Sequence, residues 1–112
     1  MKKYYLGEFE EVVILTIGVL FQEAYGVSIK KELEERLARG VSVGALHTAL
    51  KRLEDKGYIR SSDGDTTEDR QGRPRRYYEI TALGKKAIEH TRNTREGLWK
   101  DIPKVALNLK IV

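Results

Sequence analysis

Residues 28–57, SIKKELEERLARGVSVGALHTALKRLEDKG, contain two helical repeats separated by a short turn. Aliphatic residues recur every three or four positions in both repeats, which predicts two amphipathic helices. The six residues that form the two apolar stripes are Ile29, Leu33, Leu37, Leu46, Leu50 and Leu53. We expect the first helix to span about 27–38. The connection is short and contains Gly40, an arrangement typical of a helix-turn-helix.

The second helix of this motif carries small and polar residues opposite its leucines. Ser42 precedes it and can accept a hydrogen bond from an unpaired backbone amide, and Gly57 ends it. We expect Gly40 to stop the preceding helix and Val43 to lie near the apolar stripe. The opposite face carries Gly44, Ala45, Thr48, Lys51, Arg52 and Asp55. The pattern therefore predicts an exposed, mildly basic helix face.

A strongly apolar segment precedes the motif, from about residue 7 to residue 21. Glu8, Glu10 and Glu11 lead it, and carboxylates stabilise the amino-terminal end of a helix. Length and leading charge favour this helix over a strand across 12–15. The middle of the segment is apolar on nearly all sides, so the helix needs cover on more than one side. We expect a partner subunit to supply part of that cover.

After the motif, the periodicity changes from helix to strand. Residues 58–61 and 75–81 alternate as two strands of a hairpin, and residues 62–74 between them form a long polar loop. Thr81 is expected to cap a last helix, and Pro103 to prevent its continuation. The inner side of that helix is expected to carry Leu83, Ala87, Ile88 and Leu98. The tail over 103–112 is apolar and has no clear assignment.

The order of these elements predicts a mainly α fold with a small β-hairpin. Helix, helix-turn-helix, hairpin and helix together form a winged helix-turn-helix, with amino- and carboxy-terminal helices that dimerise. We expect one domain over 1–112. Its core and wing occupy about 7–81, and its carboxy-terminal dimerisation helix occupies about 82–102.

Several short segments match the pattern of one family in order and spacing. They are Tyr25-Gly26, Val41-Ser42-Val43-Gly44-Ala45-Leu46, Leu50-Lys51-Arg52-Leu53-Glu54, Gly57-Tyr58-Ile59, Gly72-Arg73-Pro74-Arg75-Arg76-Tyr77-Tyr78-Glu79-Ile80-Thr81 and Gly84. From about Leu6 to Leu98, the chain resembles the PadR family of transcriptional regulators, in its short single-domain form. Val43 departs from the proline, and His47 from the tyrosine, that are usual at these positions.

The resemblance implies a homodimeric repressor that binds double-stranded DNA, and some members respond to small aromatic effectors. Helix amino-terminal residues reach furthest into the major groove, and arginines suit phosphate and narrow minor grooves. The candidate DNA-binding residues are Ser42, Gly44, Ala45, His47, Thr48, Lys51, Arg52, Arg73, Arg75 and Arg76. The alternatives are an ordinary solvated helix face, a solubilising hairpin and, for His47, a partly buried structural role.

A second candidate site concerns a small planar aromatic effector. Trp99 is the only tryptophan, and either packs in a dimer interface or stacks on a flat ligand. Phe9 and Leu98 are the other candidates for lining such a space. The alternative is a filled interface without a ligand.

Composition narrows the remaining functions. The chain has 112 residues, a formal charge of +4 and no cysteine, which permits nucleic-acid binding and fits a cytoplasmic protein. The two histidines are too far apart for a recognisable metal site, and we expect no cofactor. No nucleophile motif or phosphate-binding glycine loop indicates an enzyme. The alternative function is a winged-helix module that binds protein instead of DNA.

Overall fold

A computed structural model describes residues 3–66 and 74–108, and it confirms the winged-helix order of elements. The elements are α1 (Glu8–Leu20), a 3-10 turn (Phe21–Glu23), α2 (Gly26–Leu37), α3 (Val43–Asp55), β1 (Ile59–Thr66), β2 (Pro74–Ile80), α4 (Ala82–Asp101) and α5 (Lys104–Leu107). Within these residues, no helix has the length and apolar character needed to cross a membrane.

The core lies where α1 packs against α2, α3 and β2. Val13, Ile14 and Ile17 of α1 are buried, and they meet the buried stripes of the helix-turn-helix. The largest fully buried side chains are Ile14, Ile17, Ile29, Leu33, Leu46, Leu53, Ile59 and Val13. The predicted stripes therefore form the centre of the domain, except that Leu37 is only partly buried at their edge.

The turn between α2 and α3 confirms one predicted cap and corrects two predictions. The Ser42 hydroxyl oxygen accepts a hydrogen bond from the Ala45 amide at 3.0 Å. However, α2 ends at Leu37, and the residue in the left-handed conformation is Ala38 (φ 54°), so Gly40 is not the stop. Val43 is 57% exposed instead of lying against the apolar stripe, because it belongs to the outer side of the first turn.

The hairpin is longer than the sequence predicted. The first strand was expected over 58–61, but β1 runs from Ile59 to Thr66, well into the expected loop. Backbone pairing explains the difference, because Ser62 lies opposite Tyr77 and Asp63 lies opposite Arg76 although neither side chain is apolar. A backbone bridge between Tyr25 and Tyr77 also attaches β2 to the residue that precedes α2.

The base of α4 is held tightly to the rest of the domain. The Thr81 hydroxyl accepts from the Gly84 amide at 3.0 Å, which confirms the predicted cap, and donates to the Gly57 carbonyl at 2.6 Å. A Cβ at position 84 would overlap the backbone carbonyl of Tyr58. Ala87 is fully buried, and no residue over 89–101 is buried.

The far end of α4 corrects a further prediction. Leu98 was expected on the inner side of this helix, but it is 66% exposed because the core ends near Ile88. The helix ends at Asp101, before Pro103 as predicted, and the previously unassigned tail contains the short helix α5.

Candidate nucleic-acid interface

The outer face of α3 is open to solvent along its whole length. All seven candidate residues on this element are exposed: Ser42, Gly44, Ala45, His47, Thr48, Lys51 and Arg52. On the opposite side, Leu46, Leu50 and Leu53 fix the helix to the core. The partly buried role considered for His47 is therefore wrong. This geometry leaves a helix of 13 residues free to enter a groove as wide as the major groove of DNA.

On one side, α3 borders a shallow depression of about 340 Å³ shared with the start of α1. Its lining residues are Gly7, Phe9, Glu10, Gly44, Ala45, Thr48, Ala49 and Arg52. The Arg39 guanidinium lies 6.0 Å from the centre of the Phe9 ring. Two arginines thus lie near this side of α3, and their side chains have the length to reach a DNA backbone.

On its other side, α3 faces the hairpin across a cavity of about 330 Å³. Its lining residues are Tyr25, Gly26, Val27, Lys30, Val43, Leu46, His47, Arg75, Arg76 and Tyr78. The floor is mainly apolar, while Lys30, Arg75 and Arg76 contribute positive charge. Basic side chains therefore lie on both sides of the exposed helix.

Aromatic side chains hold Arg75 in this cavity. Its guanidinium carbon lies 4.2 Å from the centre of the Tyr25 ring, and Tyr25 meets Tyr77 edge-on at 5.5 Å. A cation over a tyrosine face is attracted by the ring quadrupole. The Tyr78 amide also donates to the Ala24 carbonyl at 2.8 Å. These contacts fix the start of α2, the strand β2 and Arg75 in one arrangement.

The other candidate arginines of the hairpin have different surroundings. Arg76 is exposed and lies 3.7 Å from the Glu54 carboxylate, which also accepts a hydrogen bond from Ser61 at 2.6 Å. Arg73 lies outside the described residues. Glu54 thus partly neutralises Arg76 at the edge of the candidate interface.

A partly buried ion pair fixes the carboxy-terminal end of α3. Lys56 donates to the Glu10 carboxylate at 2.6 Å and to the Tyr5 carbonyl at 3.1 Å. Burial raises the pKa of Glu10, but hydrogen bonds from Lys56 and the Gly7 amide, with the charges of Lys56 and Arg52, lower it overall. The charged carboxylate is therefore the stable form, and it joins α1 to the end of α3.

Comparison with known proteins decides the family. A model of the Transcriptional regulator PadR-like family matches residues 14–90, more than half of the chain. The chain belongs to this family. Members are transcriptional regulators, not enzymes, and this PadR-like protein is accordingly a DNA-binding transcriptional regulator. None of the curated proteins matches it significantly.

Solved structures support the same fold. A PadR-like transcription factor from Bacteroides fragilis is 27% identical, with a TM-score of 0.68 over 82% of this chain and 84% of that one. A PadR family regulator from Clostridium difficile R20291 is 28% identical, with a TM-score of 0.61 over 82% of this chain and 92% of that one. A PadR-like regulator from Bacillus cereus is 20% identical, with a TM-score of 0.72 over 91% and 93%, and shows the fold alone.

Within one chain of this PadR-like regulator, the three effector candidates do not come together. Phe9 lines the depression beside α3. Leu98 and Trp99, which are 66% and 68% exposed, lie on α4 one turn beyond Arg95. Arg95 pairs with Glu11 at 2.8 Å, on a different side of α1 from Phe9. Any shared site for these residues would need a second chain.

Sequence reasoning missed three residues that border the candidate interface. Tyr25 was noted only as a break in the helical pattern, and Lys30 only as part of a solvated face. Val43 was expected near the core. The available signal was the position of Tyr25 and Lys30 in the first turns of α2, because those turns lie beside the recognition helix in a helix-turn-helix.

Proposed function

We propose that this regulator represses transcription as a cytoplasmic homodimer bound to a pseudo-palindromic DNA site. The observation that carries the proposal is the fully exposed outer face of α3, with basic side chains on both of its sides. A recognition helix needs this combination, since bases are read in the groove while phosphates on either side fix its position. The family membership supports the same docking mode.

Two groups of residues would then perform different tasks. Thr48 and Arg52, from the second and third turns of α3, are proposed to read bases, with Gly44 and Ala45 allowing close approach. Phosphate contacts are assigned to Ser42, Lys51, Arg73, Arg75 and Arg76. His47 reaches either a base or a phosphate. Phosphate contacts supply affinity that depends on salt, whereas base contacts supply the preference for one sequence.

Exposed apolar side chains support the dimer. Leu15 and Val19 on α1 are 43% and 57% exposed, and Leu98 and Trp99 on α4 are still more exposed. An isologous interface would cover these side chains on both subunits. Because Leu98 and Trp99 lie on α4, we assign about 82–102 as the dimerisation helix of the proposed dimer. Two-fold symmetry then predicts half-sites about 34 Å apart, or a multiple of that distance.

The proposal also includes control of DNA binding by a small planar aromatic effector. Trp99 offers stacking area, and in a dimer it would approach Leu98, with Phe9 as a further candidate. An effector that binds better to a dimer whose recognition helices are wrongly spaced for DNA weakens DNA binding. By linkage, DNA weakens effector binding by the same free energy, typically about 1–3 kcal/mol. Because Trp99 is the only tryptophan, its fluorescence reports binding directly.

Selection of bound sequences from a random DNA pool, followed by titration of the best duplex, tests the DNA-binding part. Arg75→Ala should weaken binding to all duplexes and reduce the salt slope by about one unit, because one phosphate contact is lost. Thr48→Ala should cost about 1–3 kcal/mol on the selected site and less on random DNA. Lys104→Ala, at an exposed position on α5 outside the proposed dimerisation helix, is the matched control and should change neither quantity.

Four outcomes would overturn parts of the proposal. Absence of any DNA shift at low salt would favour the protein-binding winged-helix module. A monomer by sedimentation at micromolar concentration would remove the dimer. Planar aromatic compounds that quench Trp99 without changing DNA affinity would refute the control mechanism, and absence of quenching across a broad panel would favour a filled interface.

A further inference from the structure

The first turn of α3 presents only hydrocarbon side chains to its surroundings. Val43 is 57% exposed, Ala45 is exposed, and Gly44 between them has open space where a side chain would stand. The preceding Ser42 hydroxyl oxygen already accepts a hydrogen bond from the Ala45 amide. The turn that reaches furthest into a groove therefore offers methyl groups, and polar side chains begin only at His47.

In the major groove, one chemical group suits contact with an apolar turn. Each base pair displays its own set of donors and acceptors there, but only thymine displays a methyl group. We propose that Val43 reads thymine methyl groups and sets the base preference beneath the first turn of α3. This inference rests on the proposed DNA-binding role of α3.

Val43 lies on the side of α3 that faces the hairpin. It forms part of the wall of the cavity that Lys30, Arg75 and Arg76 border on the hairpin side. Arg52 lines the depression on the other side of the helix. Val43 therefore stands at the exposed start of α3, next to basic groups that suit phosphate, where a recognition helix brings its side chains to base edges.

Val27 provides a matched comparison. It is 66% exposed and lines the same cavity, but it belongs to α2. A general apolar effect of this cavity would involve both valines. Reading by α3 involves Val43 alone, so the two substitutions separate the two explanations.

The test uses the full chain and its best duplex from a random pool, with thymines replaced one at a time by uracil, which lacks the methyl group. Binding should weaken about fourfold at a position under Val43, as expected for one buried methyl. In Val43→Ala, the ratio of thymine to uracil affinity at that position should fall towards one. In Val27→Ala it should stay near four. A 5-methylcytosine at the same position should restore part of the affinity lost with cytosine.

The outcomes distinguish this inference from the proposed function. Thymine dependence that disappears in Val43→Ala, with thermal unfolding unchanged, supports the inference. Tight sequence-specific binding without an effect of uracil at any position, or with an effect that persists in Val43→Ala, overturns the inference and leaves the proposed function intact. Failure of the unmodified chain to bind any duplex at low salt overturns both.

Discussion

The helices α1 and α4 are both partly apolar, yet they relate to the rest of the domain in opposite ways. In α1, five of 13 residues are buried, including Val13, Ile14 and Ile17. In α4, only Gly84 and Ala87 of 20 residues are buried. The first helix therefore stabilises a single chain. The distal half of α4, by contrast, contributes exposed surface, whose apolar part gains stability only when another molecule covers it.

Two ion pairs formed by carboxylates of α1 show a related difference. Glu10 at the start of α1 is 6% exposed and accepts from Lys56. Its neighbour Glu11 meets Arg95 of α4, whose side chain is 55% exposed. Ion pairs withdrawn from water respond strongly to loss of a partner, while pairs at the surface contribute little. The pair that joins α1 to the end of α3 and the pair that joins α1 to α4 should thus respond differently to substitution.

The largest expected effect belongs to the core side of α1. Ile14→Ala should lower the free energy of unfolding by about 2–5 kcal/mol, because Ile14 is fully buried and its truncation leaves a cavity. Urea denaturation measures this loss, which should be the same at low and high protein concentration. Leu98→Ala on α4 should instead change the urea midpoint only at protein concentrations at which the dimer forms. A loss below about 1 kcal/mol for Ile14→Ala would contradict the idea that α1 stabilises the single chain while distal α4 does not.

The next effect concerns the exposed side of α4. Trp99→Ala should raise the dimer dissociation constant about tenfold to a hundredfold, since partial cover of this large apolar side chain on each of the two subunits contributes about 1.5–3 kcal/mol in total. Sedimentation equilibrium over a range of concentrations measures it. Unfolding of the dilute monomer should be unchanged, as Trp99 is 68% exposed in the single chain. Equal dissociation constants for both forms would mean that α4 is not the interface.

The smallest effect separates the two carboxylates of α1. The pKa of Glu10 is lowered in the folded state from its ordinary value of 4.5. Its stabilisation is therefore present above about pH 4.5 and is lost as pH falls through the folded-state pKa. Glu10→Gln should cost about 1–3 kcal/mol at pH 7 and flatten this acid dependence.

Glu11→Gln serves as the control for that measurement. Its pair with Arg95 is partly exposed, so the substitution should cost at most about 1 kcal/mol and leave the acid dependence intact. Urea denaturation between pH 3 and pH 7 compares the two variants. If the stability of Glu10→Gln depends on acid as that of the unmodified chain does, the pair of Glu10 with Lys56 is not the source of this dependence.

Features that depend on neighbouring residues could be predicted from the sequence. The stripes of Ile29 and Leu33 or of Leu46 and Leu50, and the caps at Ser42 and Thr81, depend on spacings of three or four residues, and the structure contains them. The exposed candidate residues of α3 followed from the same periodicity.

Features that depend on distant residues could not be predicted. The pair of Lys56 and Glu10 joins positions 46 apart, and the bridge between Tyr25 and Tyr77 joins positions far apart in the chain. The extension of β1 to Thr66 depends on backbone pairing with β2, which polar residues such as Asp63 satisfy without an apolar signal. Val43 was misplaced because its type suggested burial, while its position in the first turn determined exposure.

The firm attachment of α4 at its base has a mechanical consequence. With Gly84 against Tyr58 and Ala87 buried, the helix is clamped at one end. Beyond Ile88 the helix extends about 20 Å, at about 1.5 Å per residue, and contacts the rest of the domain through the pair of Arg95 with Glu11 and the ring contact of His90 with Tyr4. A tilt of about 10° at the clamp moves the far end by about 3–4 Å, close to the 3.4 Å step between base pairs. In the proposed dimer, a rotation of this size would change the distance between the two recognition helices by about one base-pair step.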